Sequence, residues 1–351
     1  MNMAQQPVSA APQPGRFPGR PAAVSPPPRG GRGVYAALDL GTNNCRLLIA
    51  RPAQEGFVVV DAFSRIVRLG EGLAGSGALS DAAMDRAVAA LSICAAKLCR
   101  RHVSIVRSVA TEACRRAVNG RAFVDRVHRE TGIALDIISA EQEARLAVQG
   151  CHALLEPGEG PALIFDIGGG STELILIEQR DDQPHVIDWF SAPWGVVSLT
   201  ESEPHDLPTR DDRIAAYARM RGRVAAAFAP FAELLAPIRD RPRRLLGTSG
   251  TVTTLASVHL DLPSYDRRAV DGLIVPADAM RAISARLSAM SVAERATLPC
   301  IGSERADLVV AGCAILDAIL DIWTTDRLGV ADRGIREGIL RSLMARDGHS
   351  W

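Results

Sequence analysis

Between Asp166 and Glu173 the chain reads Asp-Ile-Gly-Gly-Gly-Ser-Thr-Glu, set between the apolar runs Leu163–Phe165 and Leu174–Ile177. Glycine inside a strand pattern marks a tight turn or a close backbone approach. A plain hairpin accounts for the glycines, and their neighbours add chemistry to it. Asp166 ends one strand, Gly168, Gly169 and Gly170 bare their backbone amides, Ser171 and Thr172 bring hydroxyls, and Glu173 follows. Hard carboxylate oxygens for a cation and N–H donors for phosphoryl oxygens are what a magnesium–phosphate group requires. Two familiar glycine motifs are excluded. A Walker A loop needs Gly-Lys-Ser/Thr, and no lysine is present. A dinucleotide fingerprint would put its third glycine at position 173, which is Glu, and would open a helix where Leu174–Ile177 continue a strand.

A second copy lies upstream, Ala37-Leu-Asp-Leu-Gly-Thr-Asn-Asn-Cys-Arg-Leu-Leu-Ile-Ala50. Without a gap, Asp39 falls on Asp166, Gly41 on Gly168 and Leu47 on Leu174. Two such hairpins in register imply a duplicated domain, each half offering one loop to a shared cleft. The phosphate clamp is then Gly41, Thr42, Asn43 and Asn44 from one half and Gly168, Gly169, Gly170, Ser171 and Thr172 from the other. Asp166 and Glu173 are the candidate magnesium ligands. Asp39 either holds a metal-bound water or braces its own turn.

The elements that must carry these residues follow from patterning. Residues 1–33 are rich in Pro, Gly, Ala and Arg without an acidic residue, and read as a disordered tail. Residues 34–146 form the first domain and 147–351 the second, with the final helix near 335–351 free to return to the first. The Asp39 hairpin gains a third strand near Phe57–Val60. Asp81–Arg101 is an amphipathic helix with Ser80 as N-cap. Strands are expected at Val103–Val109 and Ala134–Ile138, and a helix around Ala122–Glu130. Ser139 and Gln142 have capping-box spacing, so a helix starts at Ala140 and places Glu143 in its first turn. Beyond Val186–Phe190 come helical segments after Arg210, the Gly247–Thr251 turn, a buried helix Leu308–Ile322, a strand Leu328–Ala331 and a helix Ile335–Ala345.

Net charge is zero, so no global field draws in an anion, and specific nucleic-acid binding is not expected. The seven cysteines show no paired spacing and read as reduced core residues, which places the chain in the cytoplasm. No apolar run reaches the roughly 18 residues of a membrane span.

Together the two loops, Arg68-Leu-Gly-Glu-Gly-Leu73, Ala110-Thr-Glu-Ala-Cys-Arg115, Ile138-Ser-Ala-Glu-Gln-Glu-Ala-Arg145, Leu246-Gly-Thr-Ser-Gly-Thr251, Glu304–Asp307 and Asp332–Gly338 resemble the exopolyphosphatase/guanosine pentaphosphate phosphatase (Ppx/GppA) family, within the actin/hexokinase/Hsp70 superfamily. The resemblance implies an α/β fold of duplicated ribonuclease H-like, actin-like ATPase domains around an interdomain cleft. It implies magnesium-dependent hydrolysis, manganese serving as well, of the terminal phosphate of inorganic polyphosphate or of guanosine pentaphosphate. Glu143, directly before Ala-Arg, matches the family's water-activating glutamate, and Arg115 a cleft arginine that grips phosphate. The Gly247–Thr251 turn would be a further cleft element. A homodimer is compatible with the family. Long members carry an additional C-terminal region with an HD-type domain, and this chain ends soon after its second domain, so grip on very long polymers is not implied. Two other classes share the fold. A sugar-kinase-like phosphotransferase is disfavoured by Glu143 at the Ala-Arg position, and a nucleotide-driven binding module by the lack of a peptide-binding domain.

Overall fold

β1 (Tyr35–Leu40), β2 (Asn44–Pro52) and β3 (Phe57–Ile66) form an antiparallel meander, after which the helix Asp81–Arg100 crosses over to β4 (Ile105–Ala110), parallel to β1. β5 (Leu135–Ile137) then pairs in parallel with β4, giving the order β3-β2-β1-β4-β5. The same plan recurs. β6 (Ala162–Ile167), β7 (Thr172–Arg180) and β8 (Gln183–Ala192) form the second meander, and β9 (Arg244–Thr248) lies parallel to β6. β10 (Ile274–Pro276) and β11 (Arg327–Ala331) complete a six-stranded sheet of order β10-β11-β9-β6-β7-β8. Parallel neighbours require crossovers and antiparallel ones only turns, so two meanders each followed by helical crossovers is the ribonuclease H-like arrangement in duplicate. A computed structural model describes residues 33–349 apart from 181, 182, 239, 240 and 242. The expected tail lies outside the described residues except for Gly33.

The gapless alignment of the two hairpins is reproduced in their geometry. The Gly41 amide donates to the Asn44 carbonyl at 2.9 Å, and the Gly168 amide to the Ser171 carbonyl at 2.9 Å. Asp39 stands opposite Arg46 across the first hairpin, as Asp166 stands opposite Glu173 across the second. β3 runs to Ile66, well beyond the expected Val60, because it pairs with β2 along its whole length through a bulge at Ile49/Ala50. β10 was not anticipated. Three residues closing an edge carry too little pattern to be seen. All seven cysteines are free.

The helix Ala140–Cys151 starts where the capping box requires. Ser139 Oγ accepts from the Gln142 amide at 3.2 Å, and Gln142 Oε1 from the Ser139 amide at 3.1 Å. It packs between the sheets: Leu146 joins the cluster on the first, and Ala144, Val148 and Cys151 join one on the second. The helix Ile335–Arg346 returns to the first sheet, setting Ile339, Leu340, Leu343 and Met344 against Tyr35, Ala37, Leu48 and Ala50. These two helices approach until their backbones touch. A Cβ on Gly338 would overlap the Leu146 carbonyl, and one on Gly150 the carbonyl of Gly334. Gly338→Ala is therefore expected to force the helices apart and cost about 1–3 kcal/mol. Thermal unfolding reads this out, and a melting temperature equal to wild type would show that the contact can relax.

Candidate functional site

β1 and β6 both end at a carboxylate, and the turns that follow meet each other. A Cβ at Gly169 would lie 2.9 Å from Thr42 Cβ and 3.0 Å from the Asn43 amide nitrogen, and one at Gly170 only 2.8 Å from Thr42 Oγ1. Only glycine lets the loops come this close, which explains bare residues between two buried strands. The cleft over them spans about 960 Å³, a figure that includes the solvent at its open mouth. It lies off the carboxyl ends of the parallel strands, the usual place for a ligand in such sheets. Gly41–Asn44 and Gly168–Ser171 line one part of it, with Asp39, Asp166, Glu112 and Glu143. Ser249–Thr251, Thr254 and Arg305 line another. Ser249 caps the helix Gly250–His259 with φ of 142°, a strained value for a non-glycine residue and of the kind concentrated at binding sites.

Three candidates from the sequence do not border this cleft. Thr172 is fully buried and donates through Oγ1 to the Trp194 carbonyl at 2.7 Å. Glu173 is buried behind the loop, where Oε1 accepts from Ser171 Oγ at 2.7 Å and Ser191 Oγ at 2.9 Å. Arg115 stands behind Glu143 and Glu112. Its Nη1 donates to Glu143 Oε2 at 3.0 Å and to the Ile138 carbonyl at 2.8 Å, and its Nε to Glu112 Oε2 at 3.1 Å. Glu143, 7% exposed, remains at the cleft wall.

The electrostatics are those of crowded carboxylates. Burial, then repulsion from Glu173, pushes Asp166 up to about 8. Burial raises Glu173 to about 7 against the hydrogen bonds of Ser171 and Ser191. Burial also raises Asp39, despite the attraction of Arg46 and Arg336, and Asp39 Oδ1 has no hydrogen-bond partner. Glu143 is held well above the ordinary carboxylate range by burial and then by Glu173, with Arg115 opposing. Burial pulls the Arg115 guanidinium down, but Glu143 and Glu112 outweigh it and hold its pKa up. Buried charge of one sign is unfavourable unless a counter-ion joins it. No cluster of three or more metal-type side chains is present among the described residues. Magnesium is nonetheless suited to the set, because it is commonly held by one or two carboxylates together with water and substrate phosphates. Asp166 and Asp39 offer those carboxylates at the cleft, and Glu173, opposite Asp166 in the strand pair, adds negative charge behind them.

Two arginines at the cleft were not singled out in the sequence. Arg46 occupies, in the gapless alignment, the position of Glu173, so the pairing of one hairpin with the other already marked it. Arg305, whose Nη1 donates to Thr254 Oγ1 at 2.9 Å, lies in a turn without periodic pattern, inside the Glu304–Asp307 motif that carried the resemblance but was given no role.

Comparison with known proteins agrees with this geometry. The Ppx/GppA phosphatase family profile matches residues 48–347. Exopolyphosphatase 2 of Mycobacterium tuberculosis is 33% identical over 322 residues, covering 88% of this chain and 98% of that protein. The guanosine-5'-triphosphate,3'-diphosphate pyrophosphatase of Aeromonas hydrophila is 28% identical over 90% of this chain but only 60% of its own length. The crystal structure of the Aquifex aeolicus Ppx/GppA family member superposes with a TM-score of 0.72 at 28% identity, over 91% of this chain and 99% of that one. Paired glycine loops, a helix presenting Glu143 between them and a match running through both sheets have one common explanation: this chain belongs to the Ppx/GppA phosphatase family.

Proposed function

We propose that this phosphoanhydride hydrolase is an exopolyphosphatase, releasing orthophosphate from the end of inorganic polyphosphate with magnesium, or manganese in its place. The observation that supports the reading is the apposition of the two loops in a cleft that Glu143 also lines, so that donors and a carboxylate face one space. The loop amides and the Thr42 and Ser171 hydroxyls bind the phosphoryl oxygens, while Arg46 and Arg305 offset their charge. Glu143 accepts a proton from the attacking water, which adds to phosphorus as the bond to the leaving chain breaks. Arg115 holds Glu143 in place. A magnesium ion at Asp166, when bound, would spread the charge of the phosphoryl oxygens. Guanosine pentaphosphate presents the same terminal group and is the alternative substrate. The relative matched over nearly its full length is named an exopolyphosphatase, which supports the first choice. Free cysteines are in keeping with a cytoplasmic setting, and no helix among the described residues is long and apolar enough to cross a membrane.

The test is phosphate release by the purified protein from long polyphosphate, short polyphosphate and guanosine pentaphosphate. Release from none of them, or ATP-dependent transfer to an acceptor, rejects the reading. Excess chelator is expected to abolish release, and both Asp166→Asn and Glu173→Gln to raise the magnesium concentration needed for half-maximal rate. If both variants match wild type at limiting magnesium, the metal is held elsewhere.

A further inference from the structure

A second chamber, of about 370 Å³ counted with its open solvent, shares a wall with the cleft. Asp39, Arg46, Asp166, Ser249 and Ile335 border both spaces, so the chamber adjoins the cleft at the two aspartates that precede the loops. Its outer end is formed by Asp332 and Arg333, which do not border the cleft and whose side chains keep 25% and 36% of their exposure. An opening to solvent at these two residues would be separate from the mouth of the cleft.

The lining is suited to an anion. Asp332 is neutralised by Arg267 at 3.2 Å, and Arg333 by Asp271 at 2.8 Å. Arg46 and Arg336 make no hydrogen bond or ion pair among the described residues, although Asp39 attracts both and the two repel each other. Arg336 is partly buried, and burial pulls its guanidinium below the ordinary arginine range. Glu337, Asp39 and Asp332 attract Arg336 from a distance, but beside a second guanidinium and without a hydrogen-bonded acceptor it keeps donors free for an anion. The first turns of two helices, Gly250–His259 and Ile335–Arg346, also open here, adding the partial positive charge of their free amides.

Resting on the reading of the cleft as a polyphosphatase site, we propose that this chamber is the exit path and transient site for the product orthophosphate. The cleaved phosphate is the deepest group in the cleft, and the shortened chain still lies between it and the mouth. A rear passage lets phosphate leave while the chain stays bound. Two arginines set against Asp39 and Asp166 leave the passage near neutral, which admits an anion without trapping it.

The experiment compares total and free phosphate after mixing the protein with polyphosphate. Acid quench counts phosphate formed, and a fluorescent phosphate-binding reporter counts phosphate released. Arg336→Met keeps the side-chain length and removes the charge, leaving the carboxylates to repel the product. Formation in a single turnover is expected within about twofold of wild type and release slowed about tenfold or more, the effect of one charged hydrogen bond. Arg336→Lys should recover most of the release rate, and thermal unfolding checks that each variant is folded. Release within twofold of wild type, or formation and release falling together, overturns the proposal. Should wild type release no phosphate from any substrate, the reading of the cleft fails on its own. Calorimetric titration with inorganic phosphate then decides the chamber: weaker binding to Arg336→Met than to wild type sustains an anion site, and equal binding removes it.

Discussion

Glu143→Gln is expected to lower turnover by about 10²–10⁴-fold, the usual worth of a general base, with substrate affinity nearly unchanged. The substitution keeps size and hydrogen bonding, so Arg115 retains a partner and the loops retain their spacing. Affinity rests on loop amides, hydroxyls, arginines and metal, none of which is altered. Glu141 is the control. It lies two residues away with its side chain 47% exposed, paired with Arg145 at 2.8 Å. Its loss removes a surface pair worth about 0.3–0.5 kcal/mol and should leave turnover within about twofold. Turnover and affinity of both variants decide the matter: a more damaging Glu141→Gln, or a Glu143→Gln within a few-fold of wild type, puts the base elsewhere.

Glu143 also links stability to pH, with a sign opposite to that of an ion-paired carboxylate. Its folded pKa is raised above the ordinary 4.5 by burial and Glu173. Between those two values the unfolded chain has lost a proton that the folded protein keeps, so stability falls as pH rises through the window. Glu143→Gln should thus unfold at a higher temperature than wild type at neutral pH, the difference shrinking toward pH 4.5. Its slope should not exceed about 1.4 kcal/mol per pH unit. A difference independent of pH would mean that Glu143 is not raised.

Arg115→Met is the second large effect. Met fills the volume, but Glu112 and Glu143 lose the cation that binds both. Breaking a buried ion pair costs about 3–5 kcal/mol, and the loss here should fall at the low end because Glu143 can take up a proton. Arg115 opposes the rise of the Glu143 pKa, so its removal should move the acid limb of the rate profile to higher pH. The sequence-based role, a direct grip on phosphate, forecasts a raised KM with the acid limb in place. The pH profiles of kcat and KM separate the two.

The duplicated hairpins were legible because they rest on local features. An apolar run, an aspartate and glycines in the same order require the same turn twice, and the Ser139–Gln142 box required a helix start at Ala140. What lay beyond reach was which way side chains face. β7 is buried on both faces through Ile177, so alternation could not tell that Thr172 and Glu173 turn inward while Ser171 meets the cleft. Arg305 and Arg336 gain their meaning only from strands and helices distant in the chain. The touching backbones at Gly338 and Gly150 likewise depend on a helix pair separated by nearly two hundred residues.

The return of the helix Ile335–Arg346 to the first sheet has a consequence for synthesis. A ribosome-bound chain that has emerged through the helix Ala140–Cys151 can pair β1 to β5, yet one face of that sheet still lacks Ile339, Leu340, Leu343 and Met344. Tyr35, Ala37, Leu48 and Ala50 stay uncovered on the nascent chain until the whole second sheet has been translated. The amino-terminal half, although made first, is then a client for chaperones rather than an early folded unit. Arrested chains halted before residue 335 should be cleaved by protease within residues 34–146, and the released full chain should resist.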